Sequence, residues 1–331
     1  MKKRGVLAAL FMTAALALSA CGNAAADGQA ATTGETTEGA TYQVGIIQLV
    51  EHPALDAATK GFEDALKEKL GDKVTFDEQN AQGDAATCST IAGSFVANSY
   101  NLILGNATPA LQAAAQATNT IPILGTSITD YATALDLDQF DGATGINVSG
   151  TCDLAPLDEQ AKCIKELFPD AKNVAILFCS AEPNSKYQAM VIQEYLEQDG
   201  YTVKEYTFAD SNDVSAVTQG ACDESDVIYI PTDNTAASCT EAIANVVLNA
   251  QTPVFAGEEG ICKGCGVATL SIDYYDIGYA AGEMGAKILA EGADPATMPI
   301  QYAPKVTKKF NPANADVLGV TIPADYVAVE E

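Results

Sequence analysis

Tryptophan is absent from this 331-residue chain, and histidine occurs once, as His52. The first absence excludes a ligand pocket built on stacked indole rings. The second excludes a histidine cluster for a metal ion. Basic residues are scarce as well: 17 Lys and Arg face 44 Asp and Glu, for a formal charge of -27. A surface so acidic is unsuited to a phosphate backbone or an anionic lipid face, so no nucleic-acid partner is expected. The sequence also lacks a phosphate-binding loop ending in Lys-Ser/Thr, a Gly-x-Ser-x-Gly elbow and a His-Glu-x-x-His helix. No Gly-x-Gly-x-x-Gly follows the first predicted strand, which removes the dinucleotide reading there. No catalytic residue, cofactor or metal is expected. An enzyme would have to work with carboxylates alone.

What is present begins at the N-terminus. Met1, Lys2, Lys3 and Arg4 form a basic start, and an Ala/Leu-rich stretch runs over 5–17. That stretch is shorter than the roughly 20 residues a spanning helix requires, and with small residues after it reads as a secretory signal. Its end, Leu18-Ser19-Ala20-Cys21, resembles a bacterial lipobox, which implies a signal over 1–20 and a lipid on Cys21. Two acyl chains there hold a protein at a membrane where one is marginal. Residues 22–41 are rich in Gly, Ala and Thr, with little to bury, and read as a disordered tether. The expected location is the outer face of the cell membrane, or its periplasmic side.

Hydrophobic residues make up 48% of the chain, ample for a core, and the remaining ~290 residues exceed what one core usually supports. Eight cysteines remain besides Cys21: Cys88, Cys152, Cys163, Cys179, Cys222, Cys239, Cys262 and Cys265. An even number in an exported chain fits disulfides, and buried free thiols fit equally. Gly264 and Gly266 place the Cys262/Cys265 pair on a predicted loop.

Apolar strands and amphipathic helices alternate from residue 42 onward. Strands are predicted over 42–50, 74–80, 101–105 and 120–124, with helices over 55–70, 84–98 and from Thr108. The pattern restarts with helices over 157–167, 184–198, 214–219 and 234–248 and strands over 173–178, 201–208, 226–230 and 252–256. A strand at 267–272 and a helix at 275–290 follow. Short connections between such elements indicate parallel sheets flanked by helices. The predicted architecture is α/β: two Rossmann-like lobes with a ligand cleft between them, closing by a hinge. The N-terminal lobe is expected over 42–150 plus about 257–292, and the C-terminal lobe over 151–256 plus about 293–331.

Candidate site residues follow strands. Gln48, Glu51 and His52 lie between the first strand and first helix. Asn106, Ala107 and Thr108 open a helix, with Thr108 as expected cap and Pro109 behind it. Backbone N–H groups at such a start can seat a carboxylate. Thr126 and Ser127 follow the next strand. In the second unit the candidates are Glu182, Asn184 and Ser185, then Asp233 and Asn234, and finally Glu258. Asp233 and Glu258 offer negative charge to an ammonium, although each could equally complement the dipole of the helix it opens. Helix starts for a carboxylate and carboxylates for an amine would match an amino acid zwitterion.

These segments resemble a known family. Val44-Gly45-Ile46-Ile47-Gln48 followed by Glu51-His52-Pro53-Ala54-Leu55-Asp56 and Gly61-Phe62, then Gly105-Asn106-Ala107-Thr108-Pro109-Ala110, Gly125-Thr126-Ser127, Glu182-Pro183-Asn184-Ser185 and Pro231-Thr232-Asp233-Asn234, are similar to the ABC-transporter substrate-binding proteins of the tryptophan/tyrosine type. The resemblance runs from about residue 42 to 325. It implies the type I periplasmic-binding fold with three crossovers, an aromatic amino acid or related small molecule as ligand, an ABC permease as partner, and a monomer. Tyr131, Tyr187, Tyr274 and Tyr275 are candidates for an aromatic wall. A ligand-sensing surface lipoprotein of the same fold is the alternative, and a secreted carboxylate enzyme a more distant one.

Overall fold

The computed structural model describes residues 41–330. The expected signal, the lipid site Cys21 and the tether up to residue 40 lie outside the described residues.

Alternation of strand and helix builds the first lobe: β1 (Tyr42–Gln48), α1 (Pro53–Leu70), β2 (Val74–Asn80), α2 (Ala85–Ala97), β3 (Leu102–Asn106), α3 (Thr108–Ala117), β4 (Ile123–Ile128), α4 (Tyr131–Leu135) and β5 (Val148–Cys152). The chain then crosses to the second lobe, with α5 (Leu157–Leu167), β6 (Asn173–Cys179), α6 (Pro183–Gln198), β7 (Thr202–Phe208), α7 (Val214–Glu224), β8 (Val227–Ile230), α8 (Asn234–Ser238), α9 (Thr240–Ala250), β9 (Val254–Ala256), α10 (Glu259–Gly264) and β10 (Ala268–Ser271). It returns for α11 (Tyr274–Glu291) and β11 (Gln301–Tyr302), and crosses once more for β12 (Thr307–Phe310), α12 (Pro312–Leu318) and β13 (Val327–Ala328).

One sheet has the order β11-β5-β4-β3-β1-β2, the other β13-β12-β10-β9-β8-β6-β7. All pairings are parallel except β10 with β12. Helices cover both faces, so the central strands are apolar without alternation. In β1, Ile46 joins the core with Phe62, Leu66 and Met284, while its neighbour Ile47 joins the opposite one with Phe95 and Leu111.

Sheet membership relocates two expected boundaries. The first crossing occupies 153–156, just past Gly150. Residues 257–271, expected in the first lobe, carry α10 and β10 of the second, and the next crossing is 272–273. The last lies at 303–306 because Gln301 and Tyr302 pair with Thr151 and Cys152 of the first sheet. Cys262 stands on α10 rather than on a loop, Cys265 follows directly, and all eight described cysteines are free thiols. The helix predicted over 234–248 is two, broken at Cys239.

Two close approaches set the position of α11 against α1. A Cβ at Gly278 would lie 2.0 Å from the Ala58 carbonyl oxygen, and one at Gly61 would lie 2.2 Å from that of Tyr275. Only glycine lets the two backbones meet this closely. Register completes the arrangement: Gln48 pairs with Asn106, and Asn106 with Thr126. The carboxyl ends of β1, β3 and β4 therefore end in one row facing the other lobe.

Candidate functional site

A small, nearly closed cavity of about 10 Å³ lies between the lobes. His52, Ser127 and Tyr274 line it from the first lobe, Tyr274 at the start of α11; Asn184, Thr232, Asp233, Asn234, Ala237 and Glu258 line it from the second; Asp153 lines it from the first crossover. Two side-chain hydrogen bonds cross the cleft among the described residues. His52 Nε2 stands 3.2 Å from Asn234 Oδ1, and Gln188 Nε2 donates to Thr129 Oγ1 at 3.0 Å.

The second-lobe wall is organised around Glu182, which begins α6 yet caps nothing of its own helix. Its carboxylate accepts from Asn234 N (3.0 Å) and Nδ2 (2.6 Å), from Thr235 N and Oγ1 (both 2.8 Å), and from Asn184 Nδ2 (3.2 Å). These bonds orient both amides. With Asn234 Nδ2 on Glu182, its oxygen faces His52, so His52 Nε2 carries the proton and Nδ1 is left as an acceptor. Burial lowers the His52 pKa and keeps the ring neutral. Asn184 Nδ2 also reaches Thr232 O at 2.9 Å, which turns Asn184 Oδ1 outward. His52 Nδ1, Asn184 Oδ1 and Ser127 Oγ are buried without a hydrogen-bond partner. Three orphaned polar atoms around one cavity are costly unless something fills it.

Charge tells the same story. No Lys or Arg lines the cavity, and among the described residues none of Asp153, Glu182, Asp233 and Glu258 forms an ion pair. Burial pushes Asp153 up to about 6 and Glu258 up to about 7, the Asp153 charge adding to the latter. Burial and then the Glu182 charge raise Asp233 above the usual carboxylate range. A cation between them would relieve all these penalties.

Of the residues anticipated from sequence, His52, Ser127, Asn184, Asp233, Asn234 and Glu258 line the cavity. Gln48 does not. It bonds Asp56 Oδ1 at 2.7 Å and Thr59 Oγ1 at 2.6 Å inside the first lobe. Glu51 is exposed. Asn106 Nδ2 ties β3 to α1 through Leu55 O and Thr59 Oγ1, both 2.9 Å, and Thr126 Oγ1 accepts from Thr151 at 3.1 Å. Ala107, not Thr108, is the cap position of α3, at φ 88°. Thr108 is the first helical residue, and its buried Oγ1 is unpartnered. Ser127, on the neighbouring strand, also has positive φ, 58°. Two non-glycine residues in that region at adjacent strand ends are strain of the sort that collects at functional sites. Glu182 and Ser185 support the wall from behind. Ser185 Oγ donates to Asp233 Oδ2 at 2.7 Å.

Sequence reasoning missed Asp153, Thr232, Thr129 and Gln188. Asp153 follows β5, a strand too polar to announce itself. Of the tyrosines, Tyr274 lines the cavity. Tyr131 is buried beneath β4 and β5, its hydroxyl bonded to Gly125 O (3.0 Å) and Thr151 O (3.1 Å). Tyr275 bonds Asp64 of α1 at 3.1 Å, and Tyr187 is half-buried.

This two-lobed geometry agrees with comparison to known proteins. The family model for ABC transporter substrate binding proteins matches residues 43–330. The chain belongs to that family. Its members with this architecture have the type I periplasmic-binding fold, and they are substrate-binding proteins rather than enzymes. A tyrosine-binding protein of Clostridioides difficile (strain R20291) is 37% identical over 260 residues, 78% of this chain and 75% of the relative. Among solved structures, an ABC domain in complex with L-Trp from Streptococcus pneumonia is 33% identical, with a TM-score of 0.82 over 86% of this chain and 97% of that one. A ligand-free, open substrate-binding protein with adhesive properties from Clostridium difficile is 34% identical, but its TM-score is only 0.67 over 88% of this chain and 99% of that one. At nearly equal identity the fit to the L-Trp complex is better than that to the open structure.

Proposed function

We propose that the chain is the extracytoplasmic substrate-binding lipoprotein of an ABC importer, closing around one zwitterionic aromatic amino acid and presenting it to a membrane permease. The observation that carries this reading is the interlobe cavity, where three unpartnered polar atoms meet buried carboxylates that have no cation. An ammonium group supplies both the missing donors and the missing charge. The cavity, about 10 Å³, is closed down to roughly the room of one water, so an amino acid enters it only as the lobes part. The ring of Tyr274 offers an aromatic contact. The N-terminus of α3, with Thr108 Oγ1 unpartnered beside it, is the proposed seat of the ligand carboxylate. Relatives that bind tyrosine and tryptophan support an aromatic side chain.

Among the described residues no helix is long and apolar enough to cross a membrane. In this reading Cys21 supplies the anchor and residues 22–41 the leash. A tethered monomer near its permease gains effective concentration without a lasting contact. The test is mass spectrometry of small molecules released by denaturing the purified body, backed by calorimetry. Recovery of tyrosine, tryptophan or phenylalanine is expected. Consistent recovery of a sugar or a peptide would overturn the ligand assignment.

A further inference from the structure

Four buried carboxylates surround or support the cavity, and they differ in how many donors already serve them. Glu182 accepts five hydrogen bonds. Asp233 accepts from Cys179 N, Ala236 N and Ser185 Oγ, each at 2.7 Å. Glu258 caps α10, accepting from Gly260 N at 2.6 Å and from Ile261 N. Asp153 is served from other residues by two hydroxyls, Thr129 Oγ1 at 3.2 Å and Tyr274 Oη at 3.0 Å. It is 4% exposed, with no helix start behind it, only its own backbone N–H beside the carboxylate, and no cation.

Resting on the amino acid reading above, we infer that Asp153 is the residue that seats the ligand ammonium and so sets the requirement for an amine. The carboxylates of Asp233 and Glu258 are consumed by helix starts, where backbone N–H groups already stabilise them. Asp153 has the lone pairs to spare, and the unpartnered His52 Nδ1, Asn184 Oδ1 and Ser127 Oγ belong to residues that line the same cavity. Its position adds a consequence. It stands on the first crossover and bonds Tyr274 at the start of the helix after the second, so an ammonium held there touches the hinge rather than either lobe alone.

The experiment is calorimetry of the wild type and of Asp153→Asn with L-tyrosine and with its desamino analogue, 3-(4-hydroxyphenyl)propionate, tryptophan and 3-indolepropionate forming a second pair. The wild type should prefer the amine by at least about tenfold, as expected for a charge-assisted bond. Asp153→Asn should reduce that preference below about threefold while retaining the desamino acid. A merely structural role would weaken both ligands alike, and full retention of the preference overturns the inference. Should Asp153→Asn not fold, Thr129→Val serves instead. It removes one donor from Asp153 and should increase the amine preference; an unchanged preference again overturns the inference. Loss of the preference in Asp233→Asn, with Asp153→Asn unaffected, moves the ammonium to Asp233. A wild type that binds neither member of either pair overturns the amino acid reading itself, and this inference with it.

Discussion

His52 Nε2 meets Asn234 Oδ1 at 3.2 Å, and the two residues belong to opposite lobes, 182 positions apart in sequence. Asn234 is itself held by Glu182 at 2.6 Å, so the imidazole closes onto a wall whose polarity is already set. Replacing His52 by Ala should open the lobes and weaken ligand binding by about three- to tenfold, the worth of one buried hydrogen bond. Small-angle scattering of the ligand-free variant should show a larger radius of gyration than the wild type, and calorimetry the loss of affinity.

The buried carboxylates predict a pH dependence with a definite sign. In the folded chain Asp153 and Glu258 keep their protons up to about pH 6 and 7, whereas in the unfolded chain they release them near pH 4. Between these values the native state binds more protons, so the stability they contribute is complete below about pH 4 and declines as pH rises toward 7. His52 acts oppositely. Its lowered pKa gives stability present above about 6.5 and lost as pH falls. With two or more carboxylates against one imidazole, the ligand-free body should melt lower at pH 7.5 than at pH 5. A saturating amine ligand should flatten that difference, since its cation favours the ionised carboxylates. Thermal melts with and without ligand at both pH values check it.

Asp233→Ala should act mainly on stability. The substitution strips the cap of α8 and leaves Cys179 N and Ser185 Oγ without their acceptor. A loss of about 2 kcal/mol is expected in urea titration, tempered by relief of repulsion from Glu182. Unchanged stability with lost binding would instead make Asp233 a ligand contact.

Two glycines should respond in opposite directions to alanine. At Gly278 the new methyl group would meet the Ala58 carbonyl oxygen at 2.0 Å, which should cost about 1–3 kcal/mol as α1 and α11 are pushed apart. At Gly93, exposed within α2 with nothing within 4 Å, the same change should stabilise by up to about 1 kcal/mol through helix propensity. Denaturant midpoints of the two variants give the comparison directly.

Much of this was legible beforehand where local physics dominates. Helix α5 over 157–167 and strand β2 over 74–80 have their expected limits, because apolar spacing and clear stop residues define them. Asp84 caps α2 as anticipated, accepting from Thr87 N at 2.6 Å. Strand β5 was not legible. Val148-Ser149-Gly150-Thr151-Cys152 carries little apolar signal, and its burial comes from neighbours on both sides and both faces. With β5 went Asp153. The lobe boundaries failed for a related reason: assignment of β10 and β11 rests on hydrogen bonds to distant strands, which no local pattern records.

Residue chemistry along the chain determined the α/β class, the two-lobed plan, the poverty in cations and the short polar loops at the carboxyl ends of strands. Tertiary structure alone decided which of those loop residues meet. It set Gln48 and Asn106 to bracing the first lobe, spent Asp233 and Glu258 on helix caps, and brought His52, Ser127, Asn184 and Asp153 around one cavity. The reason is physical. A polar side chain behind a strand has the same local sequence whether its hydrogen bonds are satisfied by its own lobe or left open to the cleft, and only the packed structure shows which.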